Sequence, residues 1–217
     1  IRPGGPSSSP QAQQQVERLA KQIAEKAGWD SATVTGKYFN DENEGLAYIE
    51  SGKPGFVLGS LGFYLKYREK LGLRIINQAS VGGKKNAKYY VVAKKGGPGS
   101  LAELSGKTLA GIHLNEPEFV ERIVFNNAIQ LGQDVKILPE RSLRALKKLS
   151  QGEIDAVILD EKEFKSLQSL PFGKDLTPIF ESKDLPNNGF MILGGEFNPD
   201  NLKGFLTAAA DFCGFDD

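Results

Sequence analysis

From Gln11 to Ala27 the apolar positions Val16, Leu19, Ala20, Ile23, Ala24 and Ala27 fall at the i, i+3, i+4, i+7 spacing of one helical face, and Gly28 stops the run. The pattern then predicts a strand over Ser31–Phe39, a short helix over Asp41–Ser51 ending at Gly52, and a buried strand over Gly55–Gly59. Leu73–Ala79 reads as a strand, and Lys84–Lys95 contains another that is apolar at its centre. After the turn Gly96–Gly99, Ser100 caps a short helix over Leu101–Leu104. A strand over Thr108–Leu114, a helix over Pro117–Leu131, a strand over Val135–Leu138, a helix over Ser142–Ser150 and a buried strand over Ile154–Leu159 follow. Phe172–Pro186 reads as loop, Gly189–Leu193 as a strand, and Asn198-Pro199 opens a helix with Leu202, Phe205, Leu206, Ala209, Phe212 and Cys213 on one face. Ile1–Ser9 reads as the stub of a first strand running into a loop.

The order of elements repeats, and some letters repeat with it. Leu46, Gly52 and Val57 recur as Leu146, Gly152 and Val157, and Val16-Glu17-Arg18-Leu19 resembles Val120-Glu121-Arg122-Ile123. Each half is expected to be βαβαβ, and alternating elements of this kind build parallel sheets covered by helices. The last strand and helix are placed back on the first half. The expected fold is therefore α/β and two-lobed, each lobe a mostly parallel sheet flanked by helices: 1–88 with 184–217 as lobe one, 89–183 as lobe two, with crossovers near 86–90 and 183–188. Two such lobes imply a cleft.

Lys+Arg and Asp+Glu balance at 27 each, so no net field favours nucleic acid or an anionic membrane surface. One cysteine (Cys213) and one histidine (His113) exclude an internal disulfide framework, a Cys/His zinc cluster and a Cys/His catalytic pair; no metal and no cofactor are expected. No run of about 18 apolar residues is present. The chain opens on Ile1 and its only methionine is Met191, which fits a leading segment removed on export or by trimming. A monomer is the default. Gly106-Lys107-Thr108 imitates the end of a phosphate-binding P-loop, but Leu101 stands where the first glycine belongs.

The stretch YYVVAKKGGPGSLAELSGKTLAGIHL followed by SLRALKKLSQGEIDAVILD resembles the second lobe of type 2 periplasmic solute-binding proteins, nearest the phosphonate-binding branch of ABC-transporter receptors. The residues that carry the likeness are Ser100, Leu101, Leu104, Gly106 and Lys107, then Gly152, Asp155 and Ala156. The resemblance implies a periplasmic or otherwise exported receptor that closes on a small polar ligand, a phosphonate, phosphate or similar oxyanion first, and hands it to a membrane permease. A small enzyme on the same scaffold, with Glu116, Asp160 or His113 as acid or base, is the alternative; a ligand-sensing domain is another.

Ligands of open parallel sheets bind beyond the carboxyl ends of strands, at helix starts. Ser7, Ser8 and Ser9 there offer hydroxyls for an oxyanion, or serve as a plain helix cap. Asn40 lies in the next such loop. The resemblance places ligand-contacting hydroxyls in the loop of Ser60 and Tyr64, although aromatics there also suit a helix rim. In the second half Asn115 and Glu116 stand where the phosphonate pattern has hydroxyls, and Glu116 in the cleft would repel an anion and welcome an amine. Asp160 either accepts a hydrogen bond from the ligand or caps the helix Glu161–Leu167. His113 is expected as a satisfied strand residue.

Overall fold

The computed structural model describes residues 10–80, 83–194 and 198–210. The chain divides into two compact units, Ile1–Lys85 with Asn187–Asp217, and Asn86–Pro186. The crossings thus fall at 85/86 and 186/187, beside the expected 88/89 and 183/184.

In the first unit, α1 (Pro10–Ala27) runs as its periodicity predicts and buries Ile23 and Ala24. It packs with α7 (Pro199–Ala210), where Phe205 and Ala208 join Ile23 in one apolar cluster that also takes Trp29, Phe56 and Phe190. The second cluster lies under α2 (Glu42–Gly52) and α3 (Leu61–Leu71) and gathers Ile49, Val57, Phe63, Tyr67 and Met191. Between them is a three-stranded sheet in the order β1 (Val57–Gly59), β10 (Gly189–Ile192), β2 (Arg74–Gln78). β10 runs antiparallel to both neighbours, because it returns from the second unit and enters between strands that themselves point the same way. Ser31–Phe39 forms no strand. Instead the Gln13 side chain of α1 satisfies that backbone, its Nε2 donating to Gly36 O at 2.7 Å and its Oε1 accepting from Tyr38 N at 2.9 Å. Only glycine fits at 36, where a Cβ would sit 2.8 Å from Val16 Cγ1.

The second unit opens with β3 (Asn86–Ala87), paired antiparallel with β9 (Leu185–Pro186), and is built on a five-stranded sheet. Its order is β6 (Lys136–Leu138), β5 (Thr108–Ala110), β7 (Ala156–Asp160), β4 (Tyr89–Lys94), β8 (Leu176–Glu181). β5 is parallel to β6 and β7, whereas β4 is antiparallel to β7 and β8, so the sheet is mixed and not mostly parallel. α5 (Ser142–Gln151) and α6 (Glu161–Leu167) cover one face through Leu146, Leu149, Val157, Leu159 and Leu167. Leu104, Leu114, Val120, Val124 and Phe125 fill the other.

The segment read as loop contains β8. β8 contains Pro178, which is accommodated because β8 pairs only with β4 and an edge strand tolerates proline. The strand expected to reach Leu114 stops at Ala110. Gly111 has φ 148°, and a Cβ there would lie 2.6 Å from Ile158 O, so the chain turns and Ile112–Asn115 forms a 3-10 turn. The helix expected over Pro117–Leu131 is α4 (Pro117–Phe119) continued by a π-turn over Val120–Val124. Asn126 and Asn127 then take left-handed φ of 52° and 58°, which asparagine tolerates and a helix does not.

The motif letters behind the family resemblance are framework. Leu101 and Leu104 are buried. Gly152 caps α5 in the left-handed region, and the Asp155 carboxylate accepts from Thr108 N at 2.8 Å with Lys107 Nζ 4.0 Å away.

Candidate functional site

At the carboxyl end of β7 the chain passes directly into α6, with Asp160 as N-cap. Its Oδ1 accepts from Glu163 N at 2.8 Å, while Glu163 Oε2 accepts from Asp160 N at 2.9 Å, a capping box that satisfies two helix-start donors reciprocally. Glu163 does more than cap. Its Oε1 takes a 2.5 Å bond from Ser142 Oγ at the first residue of α5, and its Oε2 lies 2.9 Å from His113 Nε2. The turn forced by Gly111 brings His113 here, out of the strand in which it was expected.

Tyr89, the register partner of Asp160 across β4 and β7, sets its ring edge-on to His113 at 5.0 Å and to Phe119 at 5.9 Å. Its backbone is fixed on the other side, where Tyr89 N donates to Ser182 Oγ and Ser182 N to Tyr89 O, both at 2.9 Å. Tyr90 stacks on Phe164 of α6 at 4.1 Å.

The charges of this cluster act on one another. Burial, then the charges of Asp160, Glu116 and Glu163, push the Tyr89 phenol far above its ordinary value. Burial, then the neighbouring Glu163 charge, also push the Asp160 carboxyl up, against the helix-start amides and His113. Burial pushes Glu163 up as well, but the His113 bond and charge, Ser142 and the Asp160 amide together outweigh it and hold this carboxyl below its usual value. The sign of the cluster is negative, with His113 as its one basic member.

The other expected residues are distributed as follows. Glu116 is half-buried and near enough to act on Tyr89; Asn115 is exposed, and its Nδ2 donates to Ile112 O at 2.7 Å. In the first unit Ser60 is the N-cap of α3 and its Oγ accepts from Phe63 N at 2.9 Å. Tyr64 is half-buried and packs against the Phe63 cluster, and Asn40 precedes Asp41, the N-cap of α2. Ser7, Ser8 and Ser9 lie outside the described residues.

Three members of the second-unit cluster, Tyr89, Ser142 and Glu163, are absent from the expected set. The D-x-x-E spacing of a capping box marks Glu163 in the sequence; nothing local marks its bonds to His113 and Ser142. His113, Asp160 and Glu163 also each offer one donor atom within 4.8 Å of the others. Counting Cys and His excludes thiolate-imidazole clusters but does not reach a set of one imidazole and two carboxylates.

No protein-family model matches the chain, and no curated protein matches it by sequence. Solved structures do match it. XAC2383 from Xanthomonas citri bound to ATP is similar with a TM-score of 0.69 at 16% identity, over 89% of this chain and 76% of that one. The binding protein component of an ABC phosphonate transporter from Pseudomonas aeruginosa is similar with a TM-score of 0.65 at 14% identity, over 92% and 69%. An ancestral arginine-binding protein bound to arginine gives 0.55 at 18%, over 89% and 81%. At these identities the likeness is one of fold, and the fold is two-lobed, α/β and periplasmic-binding-protein-like. Among the described residues no helix is long and apolar enough to cross a membrane.

Proposed function

We propose that the protein is an exported receptor that binds a small polar solute, an oxyanion such as a phosphonate or phosphate first, and passes it to the permease of an ABC-type transporter. The observation that carries this reading is the two-lobed fold in which β10 and α7 return to the first unit, similar to the fold of binding proteins for phosphonate and for arginine. The oxyanion is the better fit to the first unit. There α3 begins on the Ser60 hydroxyl with no acidic residue in its first turn, and helix-start amides favour anions. The beginning of α6 carries Glu161 and Glu163 and is already capped by carboxylates. A second reading is supported by that difference: the Asp160, Glu163 and Glu116 side favours a ligand that also bears an amine.

The proposed role is binding without turnover, and two of the three acid and base candidates already have structural tasks. His113 is bonded to Glu163, and Asp160 caps α6. Thermal shift of the purified chain against phosphate, methylphosphonate, 2-aminoethylphosphonate, arginine and simple amines tests the reading, since a ligand selective for the native state raises apparent stability. The expected result is a concentration-dependent rise with an oxyanion that Ser60→Ala weakens about tenfold, the size of one hydrogen bond to a charged group. A rise with amines alone leaves only the second reading, and no rise with any small solute overturns both.

A further inference from the structure

We infer that His113, Asp160 and Glu163 form a binding site for one divalent first-row transition-metal ion, with His113 Nε2 and one oxygen from each carboxylate as ligands. The site does not depend on the identity of any solute. Its ligands come from three places on one rigid scaffold: the 3-10 turn after β5, the last residue of β7 and the first turn of α6.

The donor atoms stand close enough for one ion to be shared among them. Two ligands at right angles around a metal with bonds of about 2.0–2.1 Å stand about 2.9 Å apart, and His113 Nε2 and Glu163 Oε2 are 2.9 Å apart. A metal there replaces the shared proton without separating the two residues. All three donor atoms lie within 4.8 Å of one another, so a change in the Asp160 side-chain rotation is what brings its oxygen to a shared ion. A carboxylate has about four lone-pair positions, so Asp160 can ligate while its Oδ1 still accepts from the Glu163 amide.

The surroundings supply what ligands need around them. Ser142 Oγ fixes Glu163 through the oxygen that does not face His113, and the Asp160 amide fixes the other, the kind of support that orients metal-binding carboxylates. The Tyr89 ring, set edge-on at 5.0 Å, orients the imidazole. Two neighbouring carboxylates beside one imidazole form a donor set whose mutual repulsion a dication relieves. One imidazole with two carboxylates suits Zn2+, Co2+, Ni2+ or Mn2+ better than Mg2+ or Ca2+, which prefer all-oxygen sets.

Zn2+ titration of the purified, metal-stripped full chain against a chromophoric chelator, with no solute present, tests the site. One ion per chain is expected. His113→Ala and Glu163→Gln should each abolish stoichiometric binding, whereas Ser142→Ala, which removes a support and no ligand, should weaken it by about 10–100-fold and leave it measurable. Because His113→Ala also removes a bond to Glu163, Co2+ gives a second readout. Its visible ligand-field absorption should appear in the wild type and in Ser142→Ala and vanish in His113→Ala, while far-ultraviolet circular dichroism shows all three folded. Absence of stoichiometric binding, or equal affinity in wild type, His113→Ala and Glu163→Gln, overturns the site.

Discussion

Residues 42–67 and 142–167 are the same device made twice with different chemistry. In each a helix leads into a strand that buries its valine, α2 into β1 and α5 into β7, and the next helix begins on a side-chain cap: Ser60 on α3, Asp160 on α6. Each pair of helices is also linked from the first residue of the first helix. Glu42 Oε1 takes bonds of 2.5 Å from both Lys66 Nζ and Tyr67 OH of α3, and Ser142 Oγ donates to Glu163 of α6. The third helical position separates the two copies. In the first unit it is Phe63, fully buried in the core; in the second it is Glu163, which holds His113, Ser142 and the Asp160 amide together. One copy therefore gains its helix–sheet joint from apolar packing and leaves the helix start free of acid. The other makes the joint from a polar network and places charge there.

The largest test of this contrast is to remove each anchor. Phe63→Ala should destabilise the first unit by about 3–5 kcal/mol, the usual loss for a buried phenylalanine, and Glu163→Ala the second by about 2–3 kcal/mol, the range for hydrogen bonds to a charged group. The pH dependences should differ in kind. Glu163 is held below its ordinary value, so its contribution is fully present above the unfolded carboxylate value and is lost as pH falls through the folded one. The wild-type advantage over Glu163→Ala should therefore shrink in acid, and that over Phe63→Ala should not. Fluorescence of Trp29, the single tryptophan and a neighbour of Phe56, follows the first unit in urea, and native-state amide exchange over residues 86–186 follows the second. A Glu163→Ala loss that is constant with pH would falsify the polar account of the joint.

Much of the framework was legible because its signals are local. The 3.6-residue period gave α1 and α7, and the glycines at 52 and 152 marked the helix ends ahead of the two buried valines. Leu101, Leu104, Gly152 and Asp155 carried the family resemblance because they build the scaffold. What periodicity could not show depends on contacts far along the chain. Gln13 stands in for a strand beside Tyr38, and Asn126 with Asn127 ends a helix whose apolar spacing continues. β8 tolerates Pro178 only because it lies at an edge. Asp160 was legible as a cap, since the D-x-x-E spacing is local. The cluster around it was not, because His113 reaches it only through the turn that Gly111 makes against Ile158.

A smaller effect sharpens the comparison at the caps themselves. Asp160 has its carboxyl pushed up on folding, so its ionised form is disfavoured; it adds stability below the unfolded value and gives it up as pH rises through the folded one. Asparagine caps a helix about as well as aspartate. Asp160→Asn should therefore be at least as stable as wild type at neutral pH, within about 1 kcal/mol, and should fall behind only in acid. Urea midpoints across the acidic range, read by amide exchange in the second unit, check this. A clear loss at neutral pH would mean that the Asp160 charge, and not its capping geometry, secures α6.

The smallest effect concerns how the two copies leave their first helix. α5 closes on Gly152 in the left-handed region, φ 78°, but α2 runs one residue further and closes on Lys53 at φ 40°. A side chain in that region is strained by about 1–2 kcal/mol, part of which glycine returns as extra freedom of the unfolded chain. Lys53→Gly should thus stabilise the first unit by about 0.5–1 kcal/mol, and Gly152→Lys should destabilise the second by a similar amount. The Lys53 amide donates to Ile49 O at 3.0 Å in either case, so the helix end itself is unchanged and only the strain differs. A raised urea midpoint of Trp29 fluorescence in Lys53→Gly is the expected result. If the midpoint does not move, the one-residue extension of α2 is relaxed by its surroundings, and the two copies differ at their helix ends in register alone.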